Sequence, residues 1–97
     1  MKALQGIRNI LAEHKEELRE KYKVKEIGIF GSFIKRKRGK RSDVDILVEF
    51  EEPIGLFKFM DLEEYLGKLL GTKVDLVSKG ALKPRIGEYI LKEVVYL

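Results

Sequence analysis

Ile27-Gly28-Ile29-Phe30-Gly31-Ser32, followed after ten residues by Asp43-Val44-Asp45-Ile46-Leu47-Val48, decides how this 97-residue chain is read. Val24 to Phe30 is an apolar run of strand type that ends in a tight Gly-Ser turn. Such a turn can offer backbone N–H groups and a hydroxyl to a phosphate. Asp43 and Asp45 open a second strand rich in β-branched residues, and at i and i+2 their carboxylates point to the same side, where they can share a divalent cation. Together the two segments suggest chemistry on a nucleoside triphosphate.

Working outward, apolar residues recur at Leu4, Ile7, Leu11, Leu18 and Tyr22, which predicts one amphipathic helix over that span. His14, the only histidine, falls on its stripe and is expected to pack there, with no serine nearby in sequence to serve as a base. Ser32 to about Arg38 reads as a short helix or turn, with Ser32 near its N-cap and Gly39 closing it. The second strand runs from Asp43 to Phe50, with Val44, Ile46, Val48 and Phe50 on one face. After Pro53 and Gly55 a long helix extends from Leu56 to Leu70 and stops at Gly71; its aromatic residues and Met60 are expected in the core. A third strand covers Lys73 to Val77, and Pro84 opens a last helix to about Lys92. The tail Val94-Val95-Tyr96-Leu97 reads as an edge strand or a partner-binding segment. The alternation gives an α/β chain: a small mixed β-sheet flanked by helices, with the first two strands antiparallel because their link is too short for a full crossover.

Length and a 44% hydrophobic content fit one domain over residues 1–97. No apolar run approaches the ~20 residues of a membrane span, and the N-terminus lacks a signal-peptide core, so a soluble, cytoplasmic protein with no membrane partner is expected. The absence of cysteine excludes disulfides, thiolate metal sites and a thiol nucleophile. Of 20 Lys and Arg residues, six lie between positions 35 and 41, leaving 14 basic against 16 acidic residues elsewhere. The net charge of +4 is therefore a local patch between Ser32 and Asp43, as expected where a polyanion is held. Triphosphate or partner contact, a solvated loop, and direct nucleic-acid binding all remain open for it, the last with the least weight.

Asp75 completes the constellation. Of four aspartates, Asp43, Asp45 and Asp75 sit in apolar strand contexts where an unpaired charge is costly, while Asp61 lies on a helix. Oxygen ligands alone favour Mg²⁺, with Mn²⁺ as the substitute, over zinc. Asp43 and Asp45 could bridge two ions and Asp75 bind the one beside the acceptor, as an in-line displacement requires. Taken singly, each of these residues is an ordinary turn or strand-end residue. Gly39-Lys40 is not a Walker A loop, since Ile34 stands at the first glycine position and Arg41 follows the lysine. Ser32 lacks the G-x-S-x-G setting of a hydrolase nucleophile.

Gly31-Ser32, the ten-residue gap, Asp43-Val44-Asp45 and the later Asp75 resemble the signature of the DNA polymerase β-like nucleotidyltransferase superfamily, and within it the minimal nucleotidyltransferases. The resemblance covers nearly the whole chain. It implies a nucleotidyltransferase fold, triphosphate contacts from Gly31 and Ser32, and Asp43, Asp45 and Asp75 as catalytic metal ligands. It also implies the antitoxin half of a pair whose toxin has a HEPN domain, acting by transfer of AMP from ATP to a toxin tyrosine. The partners implied are thus ATP and a HEPN-domain protein, in a homo- or hetero-oligomer. Where relatives often carry Arg-Gly after the Gly-Ser turn, this chain has Lys35-Arg36, and Lys35 could supply an equivalent charge. A binding-only antitoxin, or a transferase acting on a small molecule or RNA end, are the alternatives.

Overall fold

The computed structural model describes residues 4–30, 44–82 and 84–97. Its elements are α1 (Leu4–Glu13), α2 (Lys15–Tyr22), β1 (Val24–Phe30), β2 (Val44–Phe50), α3 (Leu56–Leu70), β3 (Val74–Ser78), a 3₁₀ turn (Lys79–Ala81), α4 (Pro84–Glu93) and β4 (Val95–Tyr96). The expected helix and Gly-Ser turn between β1 and β2 lie outside the described residues.

One helix was expected over Leu4 to Tyr22, and two are found. His14 leaves helical geometry at φ −105°, ψ 13°. Its ring Nδ1 donates to the Ile10 carbonyl oxygen at 2.9 Å, while its backbone N–H is shared between Ile10 and Leu11 at 3.3 and 3.2 Å. A side chain that bonds back to the preceding turn competes with helix continuation. Periodicity could not show the break, because Ile7, Leu11, Leu18 and Tyr22 are all buried on both sides of it. α2 then stops at Lys23, which adopts the left-handed region at φ 60°.

The strand order is β3-β2-β1-β4, with β1 antiparallel to β2 and β4, and β2 parallel to β3. The sheet is therefore mixed, as read from the sequence, and the tail is its edge strand. Between Val24 and Glu26 the β1–β2 register shifts. That extra residue lets Val24 face the same side as Ile27 and Ile29, three and five positions on, so all three join the core.

One sheet face, with Ile27, Ile29, Val44, Ile46, Val48, Val74 and Leu76, packs against Ile7 and Leu11 of α1, Leu18 and Tyr22 of α2, and Leu62, Leu66 and Leu70 of α3. Tyr65 fixes the helical layer: its hydroxyl donates to Glu17 Oε1, and its ring stacks at a tilt on Tyr22 with centroids 5.7 Å apart. His14 meets the same ring edge-on at 6.4 Å, so it packs among helices, on the far side of the sheet from Asp45 and Asp75.

α3 departs from expectation on its outer face. Phe59 and Tyr65 pack against the core, but Phe57 is 82% exposed and Met60 52%. At 100° per residue these two lie opposite the Leu62–Leu66–Leu70 stripe, on one face with Glu64, Gly67 and Lys68. Their hydrophobicity suggested burial, and the geometry of the helix turns them to solvent.

Candidate active site

The sheet face opposite the core carries the candidate site. Register partners share a face, so Asp45 of β2, paired with Asp75 of parallel β3 and with Phe30 of antiparallel β1, stands beside Asp75 on adjacent strands. Neighbouring strands are ~4.8 Å apart, close enough for two carboxylates to bind one cation. Backbone bonds hold the pairing at this end: Val44 N–H donates to the Lys73 carbonyl at 3.0 Å. Glu63 of α3 accepts the Leu76 N–H at 2.8 Å, pinning β3 one residue beyond Asp75.

The two aspartates differ in setting. Asp45 is half-buried on an inner strand, whereas Asp75 is exposed on the edge strand, so the cost of desolvating a charge applies to Asp45 and not, as the sequence suggested, to Asp75. Two like charges in register repel unless a cation or proton compensates, and their oxygen-only chemistry fits a hard divalent ion. Among the described residues no group of three or more such side chains forms a metal cluster. Asp43, Gly31, Ser32 and Lys35 lie outside the described residues, as does the rest of the basic cluster through Arg41.

Continuing along this face, the alternation that places Asp45 also places Glu49, and Lys79 of the 3₁₀ turn just after β3 reaches it. Lys79 Nζ lies 3.6 Å from Glu49 Oε1 and 5.9 Å from the centre of the Tyr96 ring. Tyr96, then Glu49, hold the Lys79 ammonium pKa above its usual value. Tyr96 reaches over β1 because residue 28 is glycine: a Cβ there would stand 3.3 Å from Tyr96 Cδ1 and 2.7 Å from Val94 Cγ2. Sequence reasoning missed Glu49, Lys79 and Tyr96. Extending the i, i+2 pattern past Asp45 would have found Glu49, but Lys79 lies in the 3₁₀ turn beyond β3 and nothing in sequence brings Tyr96 to either. Among the described residues no helix is long and apolar enough to cross a membrane.

Comparison with known proteins gives concordant matches. A family model described as a nucleotidyltransferase domain matches residues 11–97. The chain is 54% identical over 97 residues to the protein adenylyltransferase MntA of Thermococcus cleftensis, covering all of this chain and 98% of that one. A structure solved as a candidate minimal nucleotidyltransferase superposes with a TM-score of 0.74 at 32% identity, covering 94% of this chain and 95% of the other. At the level of fold, a chain from the complex of a tri-AMPylated Shewanella oneidensis HEPN toxin with its MNT antitoxin superposes with a TM-score of 0.68 at 20% identity, covering 93% and 70%.

Proposed function

The chain belongs to the nucleotidyltransferase-domain family, and from that premise we propose that it is, as one minimal domain, a protein adenylyltransferase acting as an antitoxin. In this reading it transfers AMP from ATP to a tyrosine hydroxyl of a HEPN-domain toxin. The observation that carries the reading is the Asp45–Asp75 register, which sets two carboxylates side by side on adjacent strands. The 54% identity to an MntA adenylyltransferase over the whole chain supports a protein as acceptor.

The residues divide the work. Gly31 and Ser32, which follow β1 in sequence, bind the triphosphate through backbone N–H groups and a hydroxyl, with Lys35 adding charge. Asp43, Asp45 and Asp75 would hold Mg²⁺ or Mn²⁺, two ions in the full site, which supply neutralisation of the triphosphate and acidify the acceptor hydroxyl. Asp75, on the exposed edge strand, faces the side from which a protein acceptor can approach. The acceptor oxygen forms a bond to the α-phosphorus, the bond from that phosphorus to the α,β-bridging oxygen breaks, pyrophosphate leaves, and the phenolic proton passes to a carboxylate or water.

The test combines ATP, Mg²⁺ and the HEPN-domain partner, with AMP addition read by mass spectrometry. Asp45→Asn and Asp75→Asn should each lose on the order of 100-fold in transfer rate. They should also lose the rise in melting temperature that saturating Mg²⁺ gives the unaltered protein. Undiminished transfer by both variants would overturn the assignment. Protection from the toxin that survives loss of all three aspartates would instead favour neutralisation by binding alone.

A further inference from the structure

We propose that Glu63 is a positioning residue for the candidate metal site, holding the outer edge of β3 so that Asp75 keeps its place beside Asp45. The inference rests on the adenylyltransferase reading and deepens it by naming a group that acts on the carboxylates without joining them.

The sheet holds the two aspartates differently. Asp45 sits on β2, which has β1 on one side and β3 on the other, whereas β3 lies at the end of the strand order, beside β2. The spacing of the two carboxylates therefore depends on how firmly β3 is held. Along a strand at the edge of a sheet, alternate residues turn their N–H and C=O groups toward the neighbouring strand, and those between turn theirs away. Lys73 is of the first kind, since its carbonyl accepts the Val44 N–H at 3.0 Å, and Asp75 repeats it two residues on. Leu76 is of the second kind: its N–H leaves the sheet edge, and there Glu63 Oε2 accepts it at 2.8 Å. β3 is thus gripped at consecutive residues, by β2 at Asp75 and by α3 at Leu76.

α3 is itself fixed where it makes this contact. Leu62 and Leu66, on either side of Glu63, are fully buried in the core. One turn further, the Gly67 carbonyl accepts the N–H groups of Gly71 and Thr72 at 2.9 and 3.2 Å. A Cβ at Gly67 would stand 3.2 Å from the Thr72 carbonyl oxygen, so the helix lies close against the chain that leads into β3. Residues 63 and 67 are i and i+4 on one helix face. α3 therefore holds the entry to the strand at Gly67 and the strand itself at Glu63. A bond from a backbone N–H to a carboxylate is roughly twice as strong as one to a neutral acceptor, which suits it to this task.

Glu63 acts through the backbone. Among the described residues no three acidic, His or Cys side chains gather to hold a metal ion, so Glu63 does not share a cation with Asp45 and Asp75. Leu76, whose N–H it holds, turns its side chain to the core, and Asp75, the preceding residue, turns its own to the opposite face. Fixing the first fixes the direction of the second. Without the bond, the edge strand must be ordered when the cation binds, and metal affinity falls accordingly.

The experiment uses the full chain with Mn²⁺ as the probe, its binding followed by electron paramagnetic resonance. Glu63→Ala should weaken Mn²⁺ on the order of 10-fold and speed amide exchange at Leu76. Glu63→Gln, which keeps an acceptor oxygen, should restore the affinity to within about twofold and the protection with it. Glu64→Ala, which removes the neighbouring exposed carboxylate, should also stay within about twofold. In AMP transfer to the HEPN-domain partner, the half-saturating Mg²⁺ concentration should rise for Glu63→Ala while the Michaelis constant for the partner holds. Circular dichroism verifies folding, and Glu63→Leu, likewise without an acceptor, takes the place of Glu63→Ala if that variant does not fold. A lower melting temperature with unchanged Mn²⁺ affinity gives Glu63 a structural role only and overturns the proposal. Equal weakening by Glu63→Gln assigns the effect to charge and overturns it as well. If the unaltered chain transfers no AMP, yet Glu63→Ala weakens Mn²⁺ and Glu63→Gln restores it, the adenylyltransferase reading fails while the positioning role stands.

Discussion

At the scale of single residues, identical side chains take their properties from position. Asp45 and Asp75 read alike in sequence, each flanked by apolar strand residues. The sheet makes one an inner-strand group and the other an edge group, and only the pairing of the strands puts them together. Tyr65 shows the same dependence. Burial first, then its hydrogen bond to Glu17 and the charge of that carboxylate, push its pKa up to about 12 from 10.0. A raised pKa means the folded state holds its proton more tightly than the unfolded chain. The corresponding stability is present in full below pH 10 and is lost as pH rises through about 12. In chemical denaturation, stability should fall more steeply between pH 10 and 12 for the unaltered protein than for Tyr65→Phe, which lacks the group. Equal slopes would place the hydroxyl in an environment no different from water. Tyr65 was legible as an apolar-face residue of a helix, but its partner is 48 positions away and was not.

At the scale of elements, local pattern located the strands and α-helical stretches among the described residues to within a few positions, though not the 3₁₀ turn at Lys79–Ala81, because turn residues and periodicity act over short distances. The exceptions have local causes that pattern does not register: the His14 ring bonding to Ile10, and the extra residue in β1 that turns Val24 inward. β4 depends on a different feature, the missing side chain at Gly28. A Cβ there would stand 3.0 Å from the Val95 carbonyl as well as 2.7 Å from Val94. Gly28→Val should therefore cost about 1 to 3 kcal/mol in denaturant unfolding. It should also speed amide exchange at Leu97, whose N–H donates to the Ile27 carbonyl at 3.0 Å. Protection at Leu97 as strong as in the unaltered protein would show that β4 tolerates the side chain.

For the whole molecule, α3 divides hydrophobicity between two tasks. Leu66 is fully buried under the sheet, and Phe57, on the same helix, is 82% exposed. Leu66→Ala should cost about 2 to 5 kcal/mol, a large part of the ~5 to 15 kcal/mol that holds a domain of this size. Phe57→Ala should change stability by no more than about 0.5 kcal/mol. Comparable losses in urea unfolding would mean that Phe57 belongs to the core after all. The sequence by itself determined the α/β alternation, the mixed character of the sheet, the order Gly31-Ser32, Asp43, Asp45 and Asp75, and the likeness to nucleotidyltransferases, since each is written in residue type and spacing along the chain. Tertiary structure alone decided that Asp45 meets Asp75, that Lys79 reaches Glu49 and Tyr96, and which face of α3 is left to water. Those outcomes depend on strand register and helix orientation, which arise from contacts between residues far apart in sequence.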